Sequence, residues 1–360
     1  MALGQNAMTS STRTARRMRV PFVPAGAVTG IGSLPSMSVA SAIQAVSKFS
    51  PEVPFWPQLP QTSERESIIG QGLDAIADHV KPRSDGYGFQ VKEGKIDSLL
   101  EVLHRSSGAL TSRNAAGFGA FEAALSSGRF DSAIAVKGQI EGPITLSAYL
   151  FHQGRPFLFD PALFSAIAFH VSQITYWQIE RLRTARLPIL LFVDEPALCL
   201  QSTAANALSE QKMLDPLAAI LEDVRSRGAY AGLHCCASRP LERMRHVNPD
   251  ILSFDADEGL DAFFSNSHAL DFVHRGGIVA YGIVPTRSGI NAADSARIFL
   301  RWLHAASQAG DPQEFAQRAM ITATCGLGLL NESSVSESFG VAHAISKMVR
   351  ALAGRPAEES

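Results

Sequence analysis

The sequence predicts an α/β fold in which strands and helices alternate around a parallel sheet, and three observations carry the prediction. Short apolar runs recur between longer stretches of helical periodicity: Ala27–Ile31, Val53–Trp56, Ile134–Gln139, Ile189–Val193, Tyr230–His234, Ile251–Phe254, Ile278–Tyr281 and Ala319–Thr322. Alternating β and α segments imply parallel strands, and eight such units favour a closed (β/α)8 TIM barrel over an open doubly wound sheet. Each run also ends in residues capable of chemistry: "TGIGSLP", "PFWPQLP", "KGQIEGP", "FVDEP", "GLHCC", "LSFDAD", "YGIVPTR" and "TATCGLG". Loops that follow barrel strands share one mouth, so groups far apart in sequence meet there.

In chain order, the segment "MALGQNAMTSSTRTARRMRV" is rich in Ser, Thr and Arg, has no acid and has no apolar stretch. That excludes a secretory signal and reads as a flexible tail over residues 1–24, organellar import being the other reading. The barrel domain spans residues 25–355. After the second strand, the section from Gly72 to Asp131 is too long for a simple βα connection and holds more than one helix, with "VKPRSDGYGFQVKEGK" as a loop or lid. Helical periodicity resumes over Pro161–Ala185 before "PILLFV" and over Leu214–Ser226 before "AYAGLH".

Composition narrows the partners. The 360 residues are 46% apolar and 18% charged, with a formal net charge of −2 and an isoelectric point near 6.6. That profile belongs to a globular protein with a sizeable interior, and it argues against nucleic acid or an anionic membrane as partner. No apolar run reaches the roughly 18 residues that a membrane span needs. Four cysteines are too few for a disulfide scaffold, so a reducing, cytoplasmic compartment is expected.

The stretch "AYAGLHCCASRP" holds two of those cysteines directly after a histidine. Strand alternation sends His234 and Cys236 to one face and Cys235 to the other. Zinc takes thiolate, neutral imidazole or carboxylate in a tetrahedral set, often with one exchangeable position. The candidates are His234 and Cys236 at the fifth strand end, Asp255 after the sixth and Cys325 after the eighth. Cys235 and Cys199 read as inert core.

The stretches "TGIGSLP", "EGPITL", "FVDEPAL", "LHCC" and "TATCGLG", in that order, resemble the catalytic barrel of cobalamin-independent methionine synthase, from about Thr29 to Leu330. The resemblance implies a zinc ion held by His234, Cys236 and Cys325 that binds homocysteine as its thiolate. The fourth position falls to Asp255, where the full-length enzymes carry Glu, or to water. It also implies that Asp194 receives the substrate ammonium and is catalytic, and that Ile31 and Ser33 contact the amino acid. Gln58 stands where full-length relatives have an acidic substrate-contacting stretch. Those enzymes are about twice as long; this chain looks like the short single-barrel branch, whose methyl donor is methylcobalamin or a corrinoid protein, with methyltetrahydrofolate as the other option.

The residues by themselves keep other assignments open. Asp194 and Glu195 follow an apolar run and so are not merely solvated; Asp194 could instead pair with a barrel arginine, and Glu195 could be structural. Pro143 and Thr145 read as architecture. His152, His170, His246, His274 and His304 have no partner motif and read as surface or helix residues. Two other enzyme readings remain: a corrinoid-system methyltransferase acting on another thiol, and a uroporphyrinogen decarboxylase-like lyase. A zinc-binding module without catalysis is the third.

Overall fold

The structure is a computed structural model that describes residues 21–35, 37–199, 210–236, 241–286 and 290–354. Residues 1–20 of the predicted tail lie outside it, as does the side chain of Cys199. Packing begins before residue 25, because Phe22 is buried and its N–H donates to the Tyr230 hydroxyl at 3.0 Å.

Among the described residues, eleven strands form two sheets. They are β1 (Ala27–Val28), β2 (Val80–Pro82), β3 (Phe89–Val91), β4 (Val136–Glu141), β5 (Leu150–His152), β6 (Arg155–Pro156), β7 (Ile189–Asp194), β8 (Tyr230–Cys235), β9 (Ile251–Asp255), β10 (Ile278–Val284) and β11 (Ala319–Ala323). The main sheet has seven strands in the order β1-β11-β10-β9-β8-β7-β4, every pair of them parallel. Seven of the eight expected strands are therefore present.

The second, Val53–Trp56, is not a strand. Pro54 and Pro57 lack the N–H groups a ladder needs, so the segment makes only isolated contacts. Phe55 bridges Lys137 on one side, and Gln58 bridges Ser33 on the other. The gap between the edge strands β1 and β4 is thus spanned by single bridges and not by a continuous ladder. The insertion also differs from the expected loop: "VKPRSDGYGFQVKEGK" supplies the hairpin strands β2 and β3, which join β5 and β6 in a four-stranded sheet.

Two separate apolar clusters reveal the curl of the main sheet. One cluster gathers Ala27, Val53, Ala135, Leu190, Phe192, Ile251, Ile278, Ala280 and Met320, with Tyr230 packed against it. A single cluster fed by all seven strand positions and by the segment that bridges them needs a concave face. The other cluster lies between the outer face and the helices, and includes Val136, Ile140, Leu191, Val193, Leu233, Cys235 and Phe254. Burying each large apolar side chain contributes about 1.5–3 kcal/mol.

Helix starts follow local chemistry. Asp160 accepts from the N–H groups of Ala162 and Leu163 ahead of helix Pro161–Leu182, which places proline at its first turn. Asn291 and Asp294 form a capping box at helix Ala292–Ala309. Among the described residues no helix is long and apolar enough to cross a membrane.

Candidate functional site

Period-two alternation turns the inner face from apolar to polar toward the carboxyl ends of the strands. On β4 and the residue before it, Ala135, Lys137, Gln139 and Glu141 face inward; on β7, Leu190, Phe192 and Asp194; on β8, Tyr230, Gly232 and His234, with Cys236 next. Register then sets lateral neighbours: Glu141 lies beside Asp194, Asp194 beside His234, and His234 beside Ser253. Adjacent strands are about 4.8 Å apart, so these four side chains form one row across the sheet.

Three members of the row each carry a buried polar atom with no partner among the described residues: Glu141 Oε1, Asp194 Oδ1 and His234 Nε2. Native interiors rarely leave such atoms unsatisfied, and each costs about 1–3 kcal/mol. Three in one row mark a place built for a ligand. Burial favours the uncharged form of each. It pushes the Asp194 carboxyl up to about 7, against the pull of Lys137. Glu141 is raised well above the ordinary carboxylate range by burial and by the nearby Asp194 and Glu195 charges. His234 is pulled down to about 3 by burial and the Lys137 charge, so its imidazole is neutral, with Nδ1 held 2.9 Å from the Ser253 hydroxyl.

The cation facing Asp194 is Lys137, not an arginine. Its ammonium is fully enclosed, donates to the Ile31 carbonyl at 2.6 Å and to Gln139 Oε1 at 3.1 Å, and lies 4.8 Å from the Phe192 ring centroid. Burial pulls its pKa down to about 8, with Asp194 opposing the shift. Lys137 thereby fixes the glycine-rich loop that carries Ile31 and Ser33. That loop meets the "TCGLG" turn: the Leu327 N–H donates to the Ser33 carbonyl, and the Gly328 N–H to the Ser33 hydroxyl. Gln58 is buried, and its amide donates to Gln71 at 2.6 Å.

Glu195 is committed to architecture. Its two carboxylate oxygens accept from the N–H groups of Ile144 and Thr145, each at 2.8 Å, and from the Thr145 hydroxyl at 2.6 Å. It thus satisfies the start of helix Pro143–Tyr149, where the helix dipole favours negative charge. Burial still raises its pKa to about 7, with these hydrogen bonds opposing.

Beyond the row, the Cys236 and Cys325 thiols are in hydrogen-bonding contact. The Cys236 S–H bonded to it pulls Cys325 down to about 7, while the same contact and burial push Cys236 up. Both are partly exposed, whereas Cys235 is buried in the outer cluster. Asp255 acts instead as a helix cap. Its Oδ1 accepts from Asp257 N at 2.9 Å and Glu258 N at 3.2 Å at the start of helix Ala256–Phe264. The four expected ligands are not drawn into one cluster, and among the described residues no group of three or more His, Cys, Asp and Glu is placed to hold a metal ion. The chemistry of three of them nevertheless suits zinc: two thiols, one readily ionised, and a neutral imidazole with an unpartnered nitrogen.

A scan against protein-family models finds none that matches this chain, and a search of curated sequences finds none either. Among solved structures, the chain is similar to a B12-independent methionine synthase from Shewanella sp. W3-18-1 in complex with selenomethionine. That match has 12% identity and a TM-score of 0.49, over 90% of this chain and 98% of that one. It is also similar to a modular endo-β-1,4-mannanase from Cellulomonas fimi, at 13% identity and a TM-score of 0.37 over 64% of this chain and 58% of that one. A third match is an uncharacterized protein at 15% identity and a TM-score of 0.29, over 70% and 71%. At these values the likenesses establish neither family nor activity.

Sequence reasoning gave no role to Lys137 or Ser253, and for Glu141 went no further than placing "KGQIEGP" among the strand ends at the mouth. The signal was available for Lys137 and Glu141: "AVKGQIEG" alternates apolar and polar residues, which puts a lysine and a glutamate on one face of a strand. Ser253 had no such signal, since a lone serine in "ILSF" reads as a tolerated strand residue. His170, read as a surface or helix residue, does lie on helix Pro161–Leu182, but on its buried side. It is buried, with Nδ1 at 2.6 Å from the Ser106 hydroxyl and Nε2 at 3.0 Å from the Gly72 carbonyl, a contact that required the insertion to fold over its helix.

Proposed function

We propose that the chain is a zinc-dependent methyltransferase that moves a methyl group to a thiol, homocysteine first among the acceptors, giving methionine. The observation that supports it is the row of three unsatisfied polar atoms, Glu141 Oε1, Asp194 Oδ1 and His234 Nε2, at the strand ends beside the Cys236–Cys325 contact. An acid-rich mouth suits a ligand with an ammonium group, and it disfavours the polycarboxylate substrate that a uroporphyrinogen decarboxylase-like lyase would need.

His234, Cys236 and Cys325 would hold the metal, and zinc bound there would stabilise the acceptor sulfur as thiolate at neutral pH. The chain's own residues do the rest. Ser253 fixes the plane of the His234 ring through Nδ1. Asp194 receives the amino group, while Lys137 keeps the Ile31 and Ser33 loop in register through the Ile31 carbonyl. Gln58 supports the same loop, its N–H donating to the Gly32 carbonyl at 3.0 Å. Holding the acceptor in one orientation can supply several kcal/mol of the barrier. The methyl carrier is methylcobalamin, a corrinoid protein or methyltetrahydrofolate, and the protein works in the cytoplasm.

The test is metal analysis of the wild type, Cys236→Ala and Cys325→Ala, with methyl transfer to homocysteine from methylcobalamin and from methyltetrahydrofolate. Near-stoichiometric zinc lost in both variants, together with turnover by the wild type, is the expected result. Undiminished metal in either variant removes that cysteine from the site, and no methyl transfer from any donor ends the proposal.

A further inference from the structure

We infer that Ser33 is a positioning residue for the Cys325 thiol: it grips the turn that carries Cys325, so that the glycine-rich loop and one member of the thiol pair move as a single body. The inference rests on the reading of Cys325 as part of the thiol-acceptor site, and it gives the Ser33 side chain a task that the resemblance to methionine synthase did not supply.

Cys325 needs such a support because no ladder holds it. β11 ends at Ala323 and the next helix begins at Glu332, so this thiol sits on an irregular connection, whereas Cys236 directly follows β8. Its place is set by what the connection touches. The Ser33 carbonyl accepts from the Leu327 N–H at 3.0 Å, and the Ser33 hydroxyl accepts from the Gly328 N–H at 3.3 Å. Gln61 holds the far end, its amide donating to the Gly328 carbonyl at 2.5 Å. The Gly326 N–H in turn bonds the Cys325 sulfur, so Ser33 reaches the thiol through one short turn.

Packing shows how close the grip is. A Cβ at Gly326 would lie 2.1 Å from Ser33 Oγ and 3.4 Å from Ser33 Cβ, so the turn closes on the hydroxyl and leaves no space for a side chain. Gly326 lies outside the left-handed region, so a glycine stands there for room and not for its backbone angles. The Ser33 side of the grip is braced from behind. Lys137 donates to the Ile31 carbonyl, the Gln58 N–H donates to the Gly32 carbonyl, and the Leu34 N–H donates to the Gln58 carbonyl at 2.9 Å. A hydroxyl that accepts from Gly328 still has its own proton to donate. A ligand seated on Ser33 therefore bears on the Cys325 turn as well.

The experiment compares full-length wild type with Ser33→Ala, Gly326→Ala and the double variant, with circular dichroism melts to confirm folding. In metal-stripped protein, diamide takes the two thiol hydrogens as it is reduced to its hydrazine, and the Cys236–Cys325 disulfide that forms is followed by mass spectrometry of alkylated peptides. In metal-loaded protein, zinc loss to a chelator is followed. A disulfide demands specific geometry, so Gly326→Ala is expected to slow its formation about tenfold. Zinc retention is expected to weaken by about tenfold in the same variant, as it does when the support of a ligand is disturbed. Ser33→Ala should lie between wild type and Gly326→Ala on both measures, because it gives up the Gly328 bond without forcing the turn away. The double variant should return to the Ser33→Ala level, since the added Cβ then meets only the Cβ at residue 33. Unchanged disulfide formation in Ser33→Ala, or a double variant no faster than Gly326→Ala, overturns the inference. The expected disulfide rates in a protein that holds no zinc would spare the inference and end the zinc reading. Zinc held by wild type, with disulfide rates alike in all four proteins, would do the reverse.

Discussion

Replacing Gly142 with alanine should destabilise the protein through one contact, and only while Glu195 is present. Gly142 has φ −81°, a conformation alanine adopts freely, so no backbone strain enters. A Cβ there would lie 2.5 Å from Glu195 Cγ and closer still to its carboxyl group, where carbon atoms normally sit about 3.5–4 Å apart. The glutamate must therefore retreat by about 1 Å. Its bonds to Ile144 N and Thr145 N begin at 2.8 Å, so that retreat breaks at least one and leaves a buried N–H unsatisfied, at a cost of about 1–3 kcal/mol. Overpacking adds about 1–3 kcal/mol, which gives a total of about 2–6 kcal/mol. Urea denaturation of Gly142→Ala, Glu195→Ala and the double variant forms the assay. Once Glu195 is truncated the obstructing atoms are gone, so Gly142→Ala should cost less than about 1 kcal/mol in that background. Equal costs in both backgrounds would refute the claim that this glycine exists to admit Glu195.

Three further outcomes follow from the same geometry. His170 is pulled down to about 4 by burial, below its ordinary value near 6.5, so the unfolded chain binds the proton first as pH falls. Its contribution is fully present above pH 6.5 and is lost toward pH 4, about 3 kcal/mol in all; urea midpoints between pH 7.5 and 4.5 should fall more steeply in wild type than in His170→Gln, and parallel profiles would contradict this. Lys137→Met releases the Ile31 carbonyl and leaves Asp194 without its cation, so methionine affinity by calorimetry should drop about tenfold with the melt retained; an unchanged affinity would remove Lys137 from the site. Cys235→Ser places a hydroxyl in the outer core at a cost of about 1–3 kcal/mol without changing bound zinc, while Cys236→Ser should do the opposite. Thermal melts with metal analysis separate the two, and zinc loss in Cys235→Ser would mean the strand faces had been exchanged.

Much of the fold was legible because the relevant physics is local. Apolar runs of four to six residues located seven strands of the main sheet to within a few residues, and the failure at Val53–Trp56 came from two prolines that a hydrophobicity reading underweighted. Alternation from the same runs sent Cys235 to the outer core. Asp255 was harder, since an acid at a strand end serves equally as ligand or helix cap, and only the position of the next helix shows that it caps. Glu195 posed the same problem, but it satisfies the start of a helix some fifty residues earlier in the chain, which only the β4–β7 pairing brings to it.

The chain by itself determined which side chains face inward and which sit at the ends of strands, because period-two alternation and proline's missing donor are properties of neighbouring residues. Tertiary structure alone decided who stands beside whom: Glu141 next to Asp194, Lys137 reaching the Ile31 carbonyl, Cys325 against Cys236. Those pairings join residues far apart along the chain, and they depend on ladder register and on the curl of the sheet. Neither is set by any single stretch of sequence, since both arise when all the strands pack at once.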